Sequence, residues 1–213
     1  MKIFNEVLPD YSFDLFQKIS TNSSFNNFYL AGGTSLALQL GHRESIDLDF
    51  FTNEPFTTSI MNSFPAKYEV IRLFDNSIEI FAQDTKIMFF YFAFPLYKPL
   101  MKHKGMKLAH PIDIGLMKLL ALQGRTTKKD IIDLYFIDQK IIALEKLLEI
   151  FEKIYPKEGF NSYSSIKLLF DENLLKSEPL PKMFHEINWE ECFELVTSKV
   201  LQHINKLLNG YST

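Results

Sequence analysis

The spacing of apolar residues divides the chain into two kinds of territory. From Asp10 to Ser20, Phe13, Phe16 and Ile19 recur at three-residue intervals, which predicts a helix with one apolar stripe. Asn22 to Asn27 is a polar cluster that predicts a turn. Phe28-Tyr29-Leu30-Ala31 predicts a short buried strand that stops at Gly32-Gly33. Leu36, Ala37, Leu38 and Leu40 then predict a helix over 34–40 that opens at Gly33-Thr34. From Ser45 to Phe51 the pattern alternates, with Ile46, Leu48 and Phe50 on one side and Asp47 and Asp49 on the other. That alternation predicts a strand.

Pro55 to Lys67 predicts a helix. Strands are predicted at Tyr68–Phe74, Ser77–Gln83 and Lys86–Phe94, the last two joined by a hairpin turn at Asp84-Thr85, with Pro95 and Pro99 ending the sheet. Beyond Pro111 the period is helical, over 112–123, 127–138, 140–154, 162–176 and 189–208. The fold class expected is therefore α+β, a mixed sheet with flanking helices followed by a C-terminal helical bundle. The expected division falls near Gly105, giving an α/β core over 1–105 and a helical region over 106–213 packed on that core.

Composition narrows the picture only in places. The 213 residues are 46% hydrophobic and 23% charged, the profile of a globular chain, and the 21 Phe imply an aromatic-rich core. The apolar run Ile87–Phe94 is too short to span a bilayer. Met1–Asp10 has no apolar signal core, and Cys192, the single cysteine, has no partner for an internal disulfide. These features predict a cytoplasmic location without a membrane association. A net charge of −3 argues against a globally basic nucleic-acid surface. Positive charge is nonetheless concentrated between Lys98 and Lys129, where eight basic residues face one acid, Asp113.

Gly32-Gly33-Thr34 stands at a strand-to-helix junction. Small residues there let a triphosphate approach the backbone, and N–H groups at a helix start favour anionic oxygens. Asp47 and Asp49 alternate in a strand, so both point to one face about 6.6–7 Å apart. Two carboxylates on one face repel unless a cation relieves them, and a divalent ion would do so. The same Asp-x-Asp pair also suits a cation-dependent nucleotide-sugar glycosyltransferase, although the upstream Gly-Gly-Thr turn points to phosphates. In the helical half, Lys118 is a lone cation among Leu116, Met117, Leu119, Leu120 and Leu122. It suits a phosphate contact or a side chain that reaches out to solvent. Arg125 follows seven residues later, and Thr127 with Asp130 resembles a capping box. Asp130 and Asp133 share one helix face, and Lys129 with Asp133 has the spacing of a helix-surface salt bridge of little energetic worth. No histidine pair has metal-ligand spacing, Ser35 and Ser45 lack a nucleophile-elbow context, and Cys192 is expected to fill core.

The segments YLAGGTSLALQLGHRESIDLDFF and DIGLMKLLALQGRTTKKDIIDLYFI together resemble the AbiEii-type nucleotidyltransferases, which include toxin components of type IV toxin–antitoxin and abortive-infection systems. The resemblance implies a nucleotidyltransferase fold of the DNA-polymerase-beta type, an NTP substrate and Mg²⁺ or Mn²⁺. It implies that Gly32, Gly33 and Thr34 meet the phosphates, that Asp47 and Asp49 hold metal, and that Lys118 contacts the triphosphate. Asp130 matches the motif's acid, while Arg43, Arg125, Lys129 and Asp133 fill neighbouring motif positions. A tRNA or protein acceptor and a cognate antitoxin are the implied partners. One departure stands out. Many polymerase-beta-like enzymes supply a third metal carboxylate from a later strand, and Lys86–Phe94 contains no acid. Glu79, Asp113 or Asp130 are the candidates to replace it. Without a replacement, a chain that binds nucleotide without turnover is the alternative reading.

Overall fold

A computed structural model describes residues 3–122, 124–155, 175 and 178–210. The chain forms two compact units, 1–110 and 111–213. The first contains helices α1 (Asp10–Thr21) and α2 (Gly32–Leu40) and strands β1 (Tyr29–Leu30), β2 (Leu48–Thr52), β3 (Glu69–Phe74), β4 (Ser77–Ala82), β5 (Thr85–Tyr91), β6 (Met101–His103) and β7 (Met106–Leu108). They build one seven-stranded sheet in the order β3-β4-β5-β2-β1-β7-β6. The sheet is mixed: β2 runs parallel to β5 and β1 parallel to β7, while the other neighbours are antiparallel.

Alternation decides which face of the sheet is core. Leu48 and Phe50 of β2, Ile87 and Phe89 of β5, and Ile78 and Ile80 of β4 are all buried, together with Leu15, Phe16 and Ile19 from α1. Phe50 stacks on Phe89 at 5.3 Å, and Phe16 meets Phe50 at 6.0 Å. Each such fully buried side chain contributes roughly 1.5–3 kcal/mol relative to exposure, so this face anchors the unit. Opposite residues on paired strands share a face. The residues between these core positions, Asp49 and Phe51 of β2 and Met88 and Phe90 of β5, therefore lie on the other side.

Several elements differ from the sequence pattern. Pro55–Lys67 contains only a six-residue 3₁₀ segment, Thr58–Ser63. Its Thr, Ser and Asn side chains compete for local hydrogen bonds: the Thr57 and Ser59 hydroxyls bond each other, and Asp75 accepts from the Thr58 N–H. The prolines do not end the sheet, because β6 and β7 follow Pro99 and are joined by a two-residue turn at Lys104 and Gly105, both at positive φ. Met106 and Leu108 are buried, which seats this hairpin. The β4–β5 turn is Gln83-Asp84, both at positive φ, one residue earlier than predicted. β2 starts at Leu48, so Ile46 is 41% exposed rather than sharing the core side.

The second unit contains α3 (Pro111–Ala121), α4 (Lys128–Lys140), α5 (Leu144–Ile154) and α6 (Trp189–Gly210). The helix expected over 162–176 lies outside the described residues apart from Leu175. Cys192 is buried, and that burial pushes its thiol up to about 11. It is a core residue and not a nucleophile.

Candidate active site

The Gly-Gly turn and the Asp-x-Asp strand meet in the first unit. Ala31 donates its N–H to the Asp49 carbonyl at 2.9 Å, which locks the end of β1 against β2. α2 then starts at Gly32 with no side-chain cap on its first turn, so its leading N–H groups remain a place where anionic oxygen is favoured. Gly32 adopts φ +63, and a Cβ built on it would lie 2.6 Å from Asp49 Oδ2. The carboxylate therefore sits in the space that only a glycine leaves. Gly33 follows in the first turn of α2. Gly32→Ala is expected to cost roughly 1–2 kcal/mol from the left-handed backbone alone. It should also displace the Asp49 carboxylate. Thermal unfolding would report the first effect, and loss of divalent-ion affinity the second.

Thr34 is buried, and its hydroxyl bonds both the Ser45 hydroxyl (2.7 Å) and the Asp47 carbonyl. Its side chain thus ties α2 to the chain entering β2 and sets where Asp47 stands. Arg43 is 1% exposed and donates from Nη1 to the Glu44 carbonyl at 3.0 Å. The structure places its guanidinium inside the fold, next to the loop before β2. Asp47 is exposed and Asp49 half-buried.

One residue of this face went unnoticed in the sequence. Asp49 pairs in register with Met88, and Met88 with Glu79 of β4. Lys86 stands two residues before Met88, on the face of Asp49, and both Asp47 and Asp49 act on its charge. Lys86 Nζ lies 2.5 Å from Glu79 Oε1. Its ammonium is held charged above the ordinary lysine range by the bond to Glu79, against a smaller opposing effect of burial, with Asp47 and Asp49 adding attraction. The only sequence signal was a lysine at the head of an apolar strand, because its partners come from other strands. Further along this face Tyr29 stacks on Phe51 at 6.3 Å, and Phe51 meets Phe90 edge-on at 6.0 Å.

In the second unit, Lys118 is not a solvated side chain. Its ammonium is 2.6 Å from Asp130 Oδ1 and 2.8 Å from Asp133 Oδ2, with both carboxylates buried. The expectation that Asp130 and Asp133 lie on a solvated helix surface is therefore corrected: they form a buried clamp from α4 onto α3. Thr127 caps α4 by accepting the Asp130 N–H at 3.2 Å, and its hydroxyl reaches Asp130 Oδ2 at 2.8 Å. Burial alone would raise the Asp130 carboxyl. Lys118, the Thr127 hydroxyl and Arg125 outweigh it and hold the group below the ordinary range. Arg125 and Lys129 are exposed, whereas Lys128 is buried with its ammonium 5.2 Å from the Trp189 ring centre. Asp113 is buried beside Tyr155, whose hydroxyl burial pushes up to about 12. The basic run from Lys98 to Lys129 is thus split between the two units.

Among the described residues no three His, Cys, Asp or Glu side chains form a cluster able to hold a metal ion. Two carboxylates suffice for Mg²⁺, which keeps several waters and takes further oxygens from substrate phosphates. Asp47 and Asp49, hard oxygen donors beside a glycine cradle, fit that donor set. No helix among the described residues is long and apolar enough to cross a membrane.

Comparison with known proteins bears on this geometry. The AbiEii family, described as nucleotidyl transferase AbiEii toxin of a type IV TA system, matches residues 14–94. An uncharacterized protein of Aquifex aeolicus is 31% identical over 201 residues, covering 88% of this chain and 93% of that one. The chain belongs to the AbiEii nucleotidyltransferase family. Of solved structures, JHP933 from Helicobacter pylori is similar with a TM-score of 0.54 at 21% identity, covering 99% of this chain and 97% of that chain. A second H. pylori structure, a candidate nucleotidyltransferase, has a TM-score of 0.53 at 20% identity, covering 92% of this chain and 96% of that chain. These likenesses show the shared fold. Membership makes the chain a nucleotidyltransferase and sets aside the nucleotide-sugar reading.

Proposed function

We propose that this AbiEii protein transfers a nucleoside monophosphate from an NTP to a hydroxyl of an RNA or protein acceptor, as the toxin of a type IV pair. The observation that carries the reading is the seating of Asp49 Oδ2 in the space over Gly32, which joins a cation-binding carboxylate to the start of α2. The α2 N-terminus receives phosphate oxygens, and Asp47 with Asp49 holds Mg²⁺ or Mn²⁺. When bound, the ion neutralises phosphate charge and polarises the α-phosphate. The acceptor oxygen bonds to the α-phosphorus as the bond to the α,β-bridging oxygen breaks. Pyrophosphate leaves, and a site carboxylate takes the proton released by the attacking hydroxyl.

Thr34 and Arg43 serve this chemistry indirectly, by holding the loop and strand that present Asp47. Lys118 contacts the triphosphate in this reading, with Asp130 and Asp133 orienting its ammonium, and the exposed Arg125 and Lys129 add positive charge. The family description supports the toxin role and an antitoxin partner.

Incubation with each α-labelled NTP and either total RNA or cell lysate tests the reading. Label should appear in a macromolecule, disappear with EDTA, and be released by nuclease or protease according to the acceptor. Absence of transfer from all four NTPs, or transfer indifferent to EDTA, would refute it. Induced expression should arrest growth if the chain is a toxin, and a neutral effect on growth would remove that part.

A further inference from the structure

The sheet face that carries Asp47 and Asp49 also carries Lys86, and a third carboxylate, Glu79, grips that lysine from β4. A cross-strand ion pair with one partly exposed member contributes at most about 1 kcal/mol to stability. Its position matters more than that contribution. Neighbouring strands lie about 4.8 Å apart, and Lys86 adjoins the Leu48–Ile87 pair, so its side chain extends over the face of Asp49, with Asp47 just before β2. The lysine side chain is 44% exposed, open to an incoming ligand, while the Glu79 side chain that holds it is 16% exposed.

A fixed positive charge at this place has two opposite consequences. It repels a divalent cation that approaches Asp47 and Asp49 alone. It attracts the triphosphate, whose negative charge exceeds that of the cation it carries. Positions 86, 88 and 90, which share this face of β5, are Lys, Met and Phe, so β5 offers a cation where a further carboxylate would have favoured a second metal ion.

We propose that Lys86, positioned by Glu79, makes the site selective for the cation–nucleotide complex over the free cation. Lys86 stands in for a second metal ion by contacting the triphosphate. The inference rests on the proposed assignment of Asp47 and Asp49 to the cation.

Two binding measurements on the full chain test it, neither of which needs turnover. Mn²⁺ affinity is measured by electron paramagnetic resonance without nucleotide. Affinity for an α,β-methylene NTP is measured by calorimetry at saturating Mn²⁺. Lys86→Met is expected to bind free Mn²⁺ roughly three- to tenfold more tightly and the nucleotide roughly three- to tenfold more weakly, the size expected for one charge a few ångströms away in partly screened surroundings. Lys86→Arg, which keeps the charge, should match the parent in both. A structural role would not move the two affinities in opposite directions. Unchanged affinities in Lys86→Met, a shift of both in the same direction, or loss in Lys86→Arg equal to that in Lys86→Met would overturn the inference. Failure of the underlying assignment looks different: the parent and Asp49→Asn would then bind Mn²⁺ equally, and both ideas would fall.

Discussion

Asp49→Ala is expected to abolish nucleotidyl transfer, lowering the rate by at least about a thousandfold. Removal of a single preorganised electrostatic group typically costs 10²–10³ in rate, and this carboxylate would carry both the cation and the geometry of the phosphate turn. Among the described residues of β4 and β5 no carboxylate stands ready to substitute. Asp49 faces Met88 in register, and the nearest acid in that row, Glu79, is engaged by Lys86. Among the described residues no cluster of three metal-ligating side chains exists from which another ligand could be recruited. Asp49→Asn keeps the shape beside Gly32 and should separate catalysis from folding. Its stability is expected to stay within about 1 kcal/mol of the parent, a shift of about 2–4 °C in Tm for a chain of this size. Transfer of α-labelled nucleotide and thermal unfolding, measured side by side, check both parts. Full activity in either variant would remove Asp49 from the mechanism.

Lys118→Met is expected to have the largest effect on stability. The ammonium joins two buried carboxylates, at 2.6 Å and 2.8 Å, so its removal leaves both without their cation. Breaking a buried ion pair by deleting one partner costs roughly 3–5 kcal/mol, a large part of the roughly 5–15 kcal/mol that holds a domain folded. At about 2–4 °C per kcal/mol, Tm should fall by roughly 6–20 °C at neutral pH. The pH dependence distinguishes this cause from a packing defect. In the parent, Asp130 titrates below its ordinary range, so its contribution is complete above the unfolded value of about 4 and is lost as pH falls through the lower folded value. In the variant, burial, the largest effect, is opposed only by the Thr127 hydroxyl and Arg125, and the carboxyl should move up past its unfolded value. The variant is then weakest at neutral pH and recovers as the carboxyl protonates. The Tm gap between parent and variant should be widest near pH 7 and narrow toward pH 4. A gap independent of pH would mean that the clamp is not the source.

The motifs were legible because their signals are local. Asp49 alternates with the buried Leu48 and Phe50, and Asp47 stands two residues before it. Gly32 announces a backbone that a side chain would obstruct, and Thr127 announces the start of α4. Lys86 was not legible, because its significance depends on β5 lying parallel to β2 and on β4 lying beyond it. The run from Lys98 to Lys129 misled in the same way, since consecutive charges were divided between two separately packed units. Asp130 and Asp133 read as acids on a solvated helix face, and only the burial of that face changed their meaning. Arg43 likewise stood in a motif of functional residues, yet it spends its guanidinium within the fold.

The sequence by itself determined the elements whose causes are short-ranged. These are the helical half, the strand and glycine turn, and the chemistry offered by Asp-x-Asp after Gly-Gly-Thr. Periodicity and backbone sterics act over a few residues, so they are written in the order of the chain. Tertiary structure alone decided which charges meet. Strand order put Lys86 and Glu79 on the face of Asp47 and Asp49, and helix packing buried Lys118 between Asp130 and Asp133. Pairing of this kind joins residues distant in sequence, and its electrostatic strength depends on how much water the fold excludes around them.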